Sequence, residues 1–204
     1  MSRRLRRRGR ALLHLARDCL LLRGAGAPYA PVAFASLAAL AFLLTDAREL
    51  GWRLAPALAL FVAAALIGLF DARYFLIPDG PLVWLIGAGV ADIVFFDPAA
   101  AMERLLAAGV AYGFFFVVAR AYQALRGAAG LGQGDFALFA AAGLWLGPRG
   151  LPSALFVAAV SALLSALIAF RGAAGAKARE PIPFGPHLML GLWLVFAIGP
   201  LEAG

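Results

Sequence analysis

Three aspartates lie where apolar sequence meets glycine or proline. Asp71 ends an apolar run, Asp79 follows Ile77-Pro78 eight residues later, and Asp135 directly follows Gly130-Leu-Gly132-Gln-Gly134. Because glycine has no Cβ, the chain can turn sharply before Asp135 and another backbone can approach it closely. Two carboxylates that share a proton can hydrolyse a peptide bond, since the ionised one takes a proton from water while the protonated one donates to the scissile carbonyl. The pattern favours chemistry by a carboxylate pair.

Other reaction types lack the residues that they need. The one cysteine, Cys19, cannot form an internal disulfide, and neither His14 nor His187 has a second His or Cys at the spacing of a metal site. We therefore expect neither a metal nor a cofactor, and we predict that both histidines lie at the membrane interface. Asp92, inside an apolar run, is predicted to have a structural role or to lie at the outer interface.

The composition determines the elements that carry these aspartates. The chain has 204 residues, of which 64% are hydrophobic and 14% charged, whereas soluble domains have about 45–50% apolar and about 25% charged residues. This excludes a soluble enzyme, a disordered tail and a disulfide-rich secreted module. The predicted fold class is all-α, a polytopic membrane helical bundle of about seven transmembrane helices plus an N-terminal basic amphipathic helix. The predicted spans are Pro28–Thr45, Leu54–Phe70, Gly80–Phe96, Leu105–Ala119, Phe136–Gly147, Leu151–Phe170 and His187–Leu201.

The basic residues predict the orientation of the chain. Seven spans would leave only Arg48, Arg53, Arg104 and Arg149 on one side, and would gather the other Lys and Arg residues on the side of the N-terminus. The positive-inside rule then predicts a cytoplasmic N-terminus, an external C-terminus and three aspartates at the cytoplasmic face. Residues 1–27 are predicted to form a basic cytoplasmic arm that binds membrane lipids, and residues 28–204 a membrane-embedded domain. No fold accompanies the arm that would dock it on a nucleic acid, so no nucleic-acid partner is expected.

Three motifs resemble those of a known family. They are Phe70-Asp71-Ala-Arg-Tyr-Phe-Leu-Ile77-Pro78-Asp79, then Gly130-Leu-Gly132-Gln-Gly134-Asp135-Phe136, then Pro181-Ile-Pro183-Phe184-Gly185-Pro186. Their order and spacing are similar to those of the type IV prepilin peptidases, membrane aspartyl proteases of the GxGD type. The resemblance covers residues 56–201. One GxGD motif alone is weak, but three motifs in register on a hydrophobic chain are specific.

The resemblance implies a function and a set of site residues. Asp71 and Asp135 would be the catalytic pair. The substrate would be a prepilin or pseudopilin, whose short basic leader is cut at the cytoplasmic face of the bacterial inner membrane. The residues that would shape the site or bind substrate are Pro78, Asp79, Gly130, Gly132, Gly134, Pro183, Phe184, Gly185 and Pro186.

Two departures from the family pattern leave alternatives open. Ala137 stands where the family usually has Lys, and many bacterial members have a long N-terminal cytoplasmic insert with paired CxxC motifs, associated with N-methylation. This chain has one cysteine and only a basic arm at that position. We therefore expect cleavage without N-methylation. One alternative is an intramembrane protease of the presenilin or signal-peptide-peptidase kind, which shares GxGD. Another alternative is an inactive assembly subunit or a transporter, and Ala137 is the feature that supports this alternative best. The oligomeric state is not indicated by the sequence.

Overall fold

The described part of the chain is built from α-helices. A computed structural model describes residues 54–127, 132–172 and 182–201, and these ranges contain no β-strand. The all-α prediction is confirmed for them. The basic arm, the first predicted span and Gly130 lie outside the described residues. The helices are α1 (Leu54–Tyr74), α2 (Asp79–Phe96), α3 (Ala101–Arg126), α4 (Gln133–Gly172) and α5 (Gly185–Ile198), with a short 3-10 helix (Pro98–Ala100) before α3.

Helix α4 is a hairpin of two antiparallel arms. Its backbone leaves the helical region at Gly147, where φ is 63° and ψ is −172°. Residues 133–146 form the first arm and residues 148–172 the second. The ring of Trp145 contacts Phe196 near the end of α5, whereas Ser161 contacts His187 near its start. The first arm therefore runs towards the end of α5 and the second arm runs back, as the separate fifth and sixth predicted spans require.

The helices are suited to a membrane. Helices α1 and α2, α3 with its preceding 3-10 turn, and α4 as a whole are each long and apolar enough to cross a bilayer, and α5 is a shorter apolar helix of 14 residues. The fold is that of a multi-pass membrane protein. The count of seven spans stays a prediction, because the first of them is not described.

Glycines bring the helices into close contact. A Cβ at Gly143 in the first arm of α4 would lie 2.6 Å from the backbone nitrogen of Ala108 in α3. A Cβ at Gly191 in α5 would overlap the carbonyl oxygen of Ala154 in the second arm. Such small residues let helix backbones approach each other, which is how helices commonly pack in lipid. The two arms of α4 thereby join α3 to α5.

A charged cluster ties the end of α2 to the start of α3. The Arg104 guanidinium donates to Asp92 Oδ2 at 2.8 Å and to Asp97 Oδ2 at 3.0 Å. Asp92 is buried, and it lies 13 residues, or about 20 Å along the helix axis, from the start of α2 at Asp79. The predicted structural role of Asp92 is confirmed by this ion pair.

Candidate active site

Asp71 is held in the last turn of α1 by the start of α5. Its side chain is buried, with 6% of its surface exposed, and its Oδ2 accepts a hydrogen bond of 2.8 Å from the backbone N–H of Gly185. The backbone carbonyl of Asp71 accepts from the N–H of Phe75 at 2.9 Å, which closes the helix. Both the position and the direction of this carboxylate are therefore fixed.

Gly185 is required by the closeness of that contact. A Cβ at this position would lie 2.6 Å from Asp71 Oδ2 and 3.0 Å from its Cγ. Gly185 is the first residue of α5, so its N–H is one of the four that have no partner inside the helix. Pro186, the next residue, contacts α1 one turn before Asp71, with its Cα 3.5 Å from where a Cβ of Gly68 would be. Asp71 thus accepts a hydrogen bond from an N–H group that has no acceptor within α5.

Asp135 is held by the start of its own helix. Its Oδ2 accepts from the N–H of Gly132 at 3.1 Å, and its own N–H donates to the carbonyl of Gly132, also at 3.1 Å. A side chain in the first turn that reaches back to the preceding N–H is one half of the capping-box arrangement. The sequence Gly132-Gln-Gly134-Asp135 therefore fixes the second carboxylate locally.

The two carboxylates are neighbours. Asp71 and Asp135 are close enough to repel each other when both are ionised. Each lies at the N-terminus of a helix, Asp71 at α5 and Asp135 at α4, where the helix dipole favours negative charge. Two carboxylates that interact in this way can share one proton once they come within hydrogen-bond distance of each other. The two aspartates that the resemblance implies as a pair are thus neighbours in the structure.

The segment between the first two motif aspartates also contacts the second motif. A Cβ at Gly134 would lie 3.0 Å from the Cβ of Ile77 and 3.1 Å from its Cδ1. Ile77 therefore packs directly against the residue before Asp135. Glycine at position 134 is explained by this contact between two motifs that are far apart in sequence.

Aromatic rings pack next to the residues that hold the two aspartates. Two of these rings, Phe115 and Phe139, were not predicted from the sequence. Phe184 contacts Phe115 of α3, with ring centroids 6.3 Å apart, and Phe115 stacks on Phe139 at 4.4 Å. Phe139 lies four residues after Asp135, so the helical period could have placed both on one face. Nothing in the local sequence distinguishes Phe115 from the many other apolar residues of α3.

The remaining predicted residues occupy different positions around the site. Pro183 and Pro186 are buried, Phe184 is half-buried, and Pro78 is the residue that precedes α2. Asp79 lies in the first turn of α2, is exposed, and forms no side-chain hydrogen bond or ion pair with another described residue. Ala137 is half-buried in the first arm of α4. The structure therefore leaves Asp79 outside the hydrogen bonds that hold Asp71 and Asp135.

The interfacial position of His187 stays a prediction, but its side chain is enclosed by the protein. The residue is fully buried, and its Nδ1 lies 3.0 Å from the hydroxyl of Ser161 in the second arm of α4. The same hydroxyl lies 3.0 Å from the carbonyl oxygen of Ala158, so Ser161 links the histidine to the second arm of α4. This polar partner on another helix lowers the free-energy cost of burying the histidine ring.

The donor set of the site fits acid–base chemistry. Within residues 54–127, 132–172 and 182–201, no three His, Cys, Asp or Glu side chains are grouped so that they could hold a metal ion. Two oriented carboxylates, by contrast, can together accept a proton from water and give one to a carbonyl oxygen.

Comparison with known proteins reveals related chains. The model of the type IV leader peptidase family matches residues 58–167. A prepilin leader peptidase/N-methyltransferase of Xanthomonas campestris pv. campestris is 37% identical over 153 residues, which is 73% of this chain and 52% of the relative. One of the same name from Burkholderia pseudomallei is 33% identical over 185 residues, which is 89% of this chain and 57% of the relative.

A shorter relative is matched over most of its length. The leader peptidase HopD of Escherichia coli is 33% identical over 137 residues, which is 65% of this chain and 86% of that protein. By contrast, the chain spans about half the length of the Xanthomonas and Burkholderia relatives. No solved structure matches the chain significantly.

Proposed function

Because the chain belongs to the type IV leader peptidase family, we propose that it is a membrane aspartyl endopeptidase that removes the basic leader from prepilins or pseudopilins. The observation that carries this proposal is the pairing of Asp71 and Asp135 at two helix N-termini. The two carboxylates come from motifs 64 residues apart in the chain, and each has its Oδ2 fixed by a backbone N–H.

The proposed reaction uses one proton shared by the pair. The ionised carboxylate takes a proton from a water molecule, which attacks the scissile carbonyl carbon, while the protonated carboxyl donates its proton to the carbonyl oxygen. When the tetrahedral intermediate collapses, the carboxyl that received the water proton gives it to the leaving amine. The other carboxylate takes back a proton from a hydroxyl of the intermediate, which forms the new carboxyl group and restores the shared proton. The backbone N–H groups of Gly185 and Gly132 orient the carboxylates throughout.

The proposed place of cleavage is the cytoplasmic face of the bacterial inner membrane. Arg73 lies in the last turn of α1, two residues after Asp71, and Arg126 ends α3 seven residues before Gln133, at the end of the bundle that holds the site. Basic residues gather at cytoplasmic helix ends. The leader of the proposed substrate is itself basic and would meet the exposed carboxylate of Asp79 there.

The proposal is tested by direct cleavage. The purified full-length chain, reconstituted in lipid vesicles, is incubated with a prepilin that carries its leader, and the products are weighed by mass spectrometry. We expect one cut at the end of the leader, unaffected by EDTA and abolished in Asp71→Asn. Asp97→Asn, which removes an acidic group at the opposite end of α2, is the matched control and should cleave normally.

Three outcomes would contradict the proposal. Intact substrate after incubation with folded wild-type protein would favour the inactive-subunit or transporter alternative. Cleavage within an apolar transmembrane segment, in place of the leader junction, would favour an intramembrane protease. Loss of activity in EDTA that a divalent ion restores would replace the carboxylate pair by a metal site.

A further inference from the structure

The segment between α1 and α2 is fixed at both ends by the candidate active site. At one end, the N–H of Phe75 donates to the backbone carbonyl of Asp71 at 2.9 Å. At the other end, Ile77 packs against Gly134, which precedes Asp135. The two residues that follow Tyr74 and precede Ile77 therefore lie between a contact with Asp71 and a contact with the residue before Asp135.

These two residues expose large apolar side chains. Phe75 is 54% exposed and Leu76 is 60% exposed. Tyr74, just before them, is engaged differently, because its ring contacts Phe70 at 5.5 Å and lies 5.8 Å from the Arg73 guanidinium carbon. We call Phe75 and Leu76 the apolar rim.

The backbone of Phe75 is in an unfavourable conformation. Its φ is 52°, and it is the one described residue other than glycine with a positive φ. A helix that ends in this left-handed conformation usually does so on glycine or asparagine, because a larger side chain at positive φ meets its own backbone. Strained residues of this kind concentrate at active sites and ligand clamps, where the direction of a side chain matters.

Resting on the function proposed above, we propose that the apolar rim is a substrate-binding surface that takes an apolar side chain of the peptide next to the scissile bond. This segment joins the contacts that hold the two carboxylates, so it is the nearest connecting chain that a peptide bound at both could contact. Phe75 and Leu76 offer that peptide an apolar contact, whereas the carboxylates themselves can bind only polar groups. The contact would select substrates by the residue beside the cut.

A lipid contact explains the observations less well. An apolar side chain gains from the membrane interface in any direction, so an anchor needs no strained backbone. A contact with one substrate residue needs a fixed direction, and the positive φ of Phe75 supplies it. A membrane contact would give a different result in the experiment below.

The test compares substrate preference in variants that keep the backbone. Asparagine tolerates a positive φ, so Phe75→Asn removes the ring without forcing the helix end to change. Phe95→Asn is the control, because Phe95 is also exposed (77%) but lies near the far end of α2. Prepilins that carry Leu or Ser at each of the two positions on either side of the cut are cleaved by the reconstituted full chain, and kcat/KM is measured for each.

We expect the wild-type protein to prefer Leu to Ser at one of these positions by about tenfold, the lower end of what one apolar group contributes. Phe75→Asn should reduce this preference to about twofold or less, mainly through KM for the Leu substrate, and should leave the Ser substrate nearly unchanged. Phe75→Leu should keep the preference, as should Phe95→Asn. Leu76→Ser gives a second, independent loss.

Three results would overturn the inference. The first is a wild-type enzyme without any preference, and the second is a preference that survives both Phe75→Asn and Leu76→Ser. The third is an equal loss on every substrate that changes with the lipid composition of the vesicles, which would make the rim a membrane anchor. A wild-type protein that cuts no prepilin would instead reject the proposed function itself.

Discussion

At the scale of single residues, Gly185 determines how the Asp71 carboxylate is oriented. Its N–H orients the buried Asp71 carboxylate, and there is no room for a side chain between them. We predict that Gly185→Ala lowers kcat by at least about tenfold, or about 1.4 kcal/mol of transition-state stabilisation, because the added methyl group must displace Oδ2. Leader cleavage by the reconstituted protein measures the effect.

The control for this substitution is a glycine with free space around it. A Cβ at Gly113 in α3 or at Gly87 in α2 would meet no atom within 4 Å, so alanine at either position should leave activity unchanged. If Gly185→Ala retained full activity while the protein remained folded, the N–H contact would not orient a catalytic group.

Residue types explain which parts of the site could be predicted. Asp71 and Asp135 stand out because charge is rare in an apolar sequence, and Gly130, Gly132 and Gly134 stand out because they alternate directly before Asp135. The burial of His187 could not be predicted, because its partner Ser161 is on another helix. The positive φ of Phe75 could not be predicted either, because the sequence around it has no glycine or asparagine to indicate a left-handed conformation.

At the scale of helices, the reversal within α4 was visible in the sequence. The run Phe136–Gly147 is too short for an ordinary span, and Gly147-Pro148-Arg149-Gly150 combines a flexible residue with one that cannot continue a helix. The close contact between α4 and α3 was not visible. It depends on Gly143 meeting Ala108, and no local pattern shows which of the many small residues will meet.

The ion pair of Arg104 should stabilise the connection from α2 to α3 without contributing to catalysis. Arg104→Ala leaves the buried Asp92 without its charged partner, and breaking a buried pair in this way costs about 3–5 kcal/mol. We predict a large loss of thermal stability in detergent, with leader cleavage by the folded fraction unchanged, because the pair lies at the far end of α2 from the site.

Two further variants make this prediction specific. Adding Asp92→Asn to Arg104→Ala should recover part of the stability, because the unpaired charge is then removed. Arg120→Ala, which removes an exposed guanidinium near the ring of Phe116, should cost about 1 kcal/mol or less. Equal losses from Arg104→Ala and Arg120→Ala would mean that burial of the pair is unimportant.

At the scale of the whole molecule, the hairpin of α4 and the charge distribution predict the orientation in the membrane. Arg126 ends α3 at the site end of the bundle, and Arg149 lies at the reversal of α4 on the opposite end. A reporter inserted after Arg126 should therefore be cytoplasmic, and one inserted after Arg149 should be external. Reporters that both appeared on one side would contradict a hairpin that crosses the membrane.

The central claim is that Asp71 and Asp135 act as one catalytic unit, and the most direct test compares single and double variants. We predict that Asp71→Asn and Asp135→Asn each lower the single-turnover rate of leader cleavage by at least about a hundredfold, the lower end of what one general acid or base contributes. The double variant should be no slower than either single one, because members of a unit are not additive. A single variant with more than about a tenth of the wild-type rate, or a double variant whose loss equals the product of the two single losses, would contradict the pair.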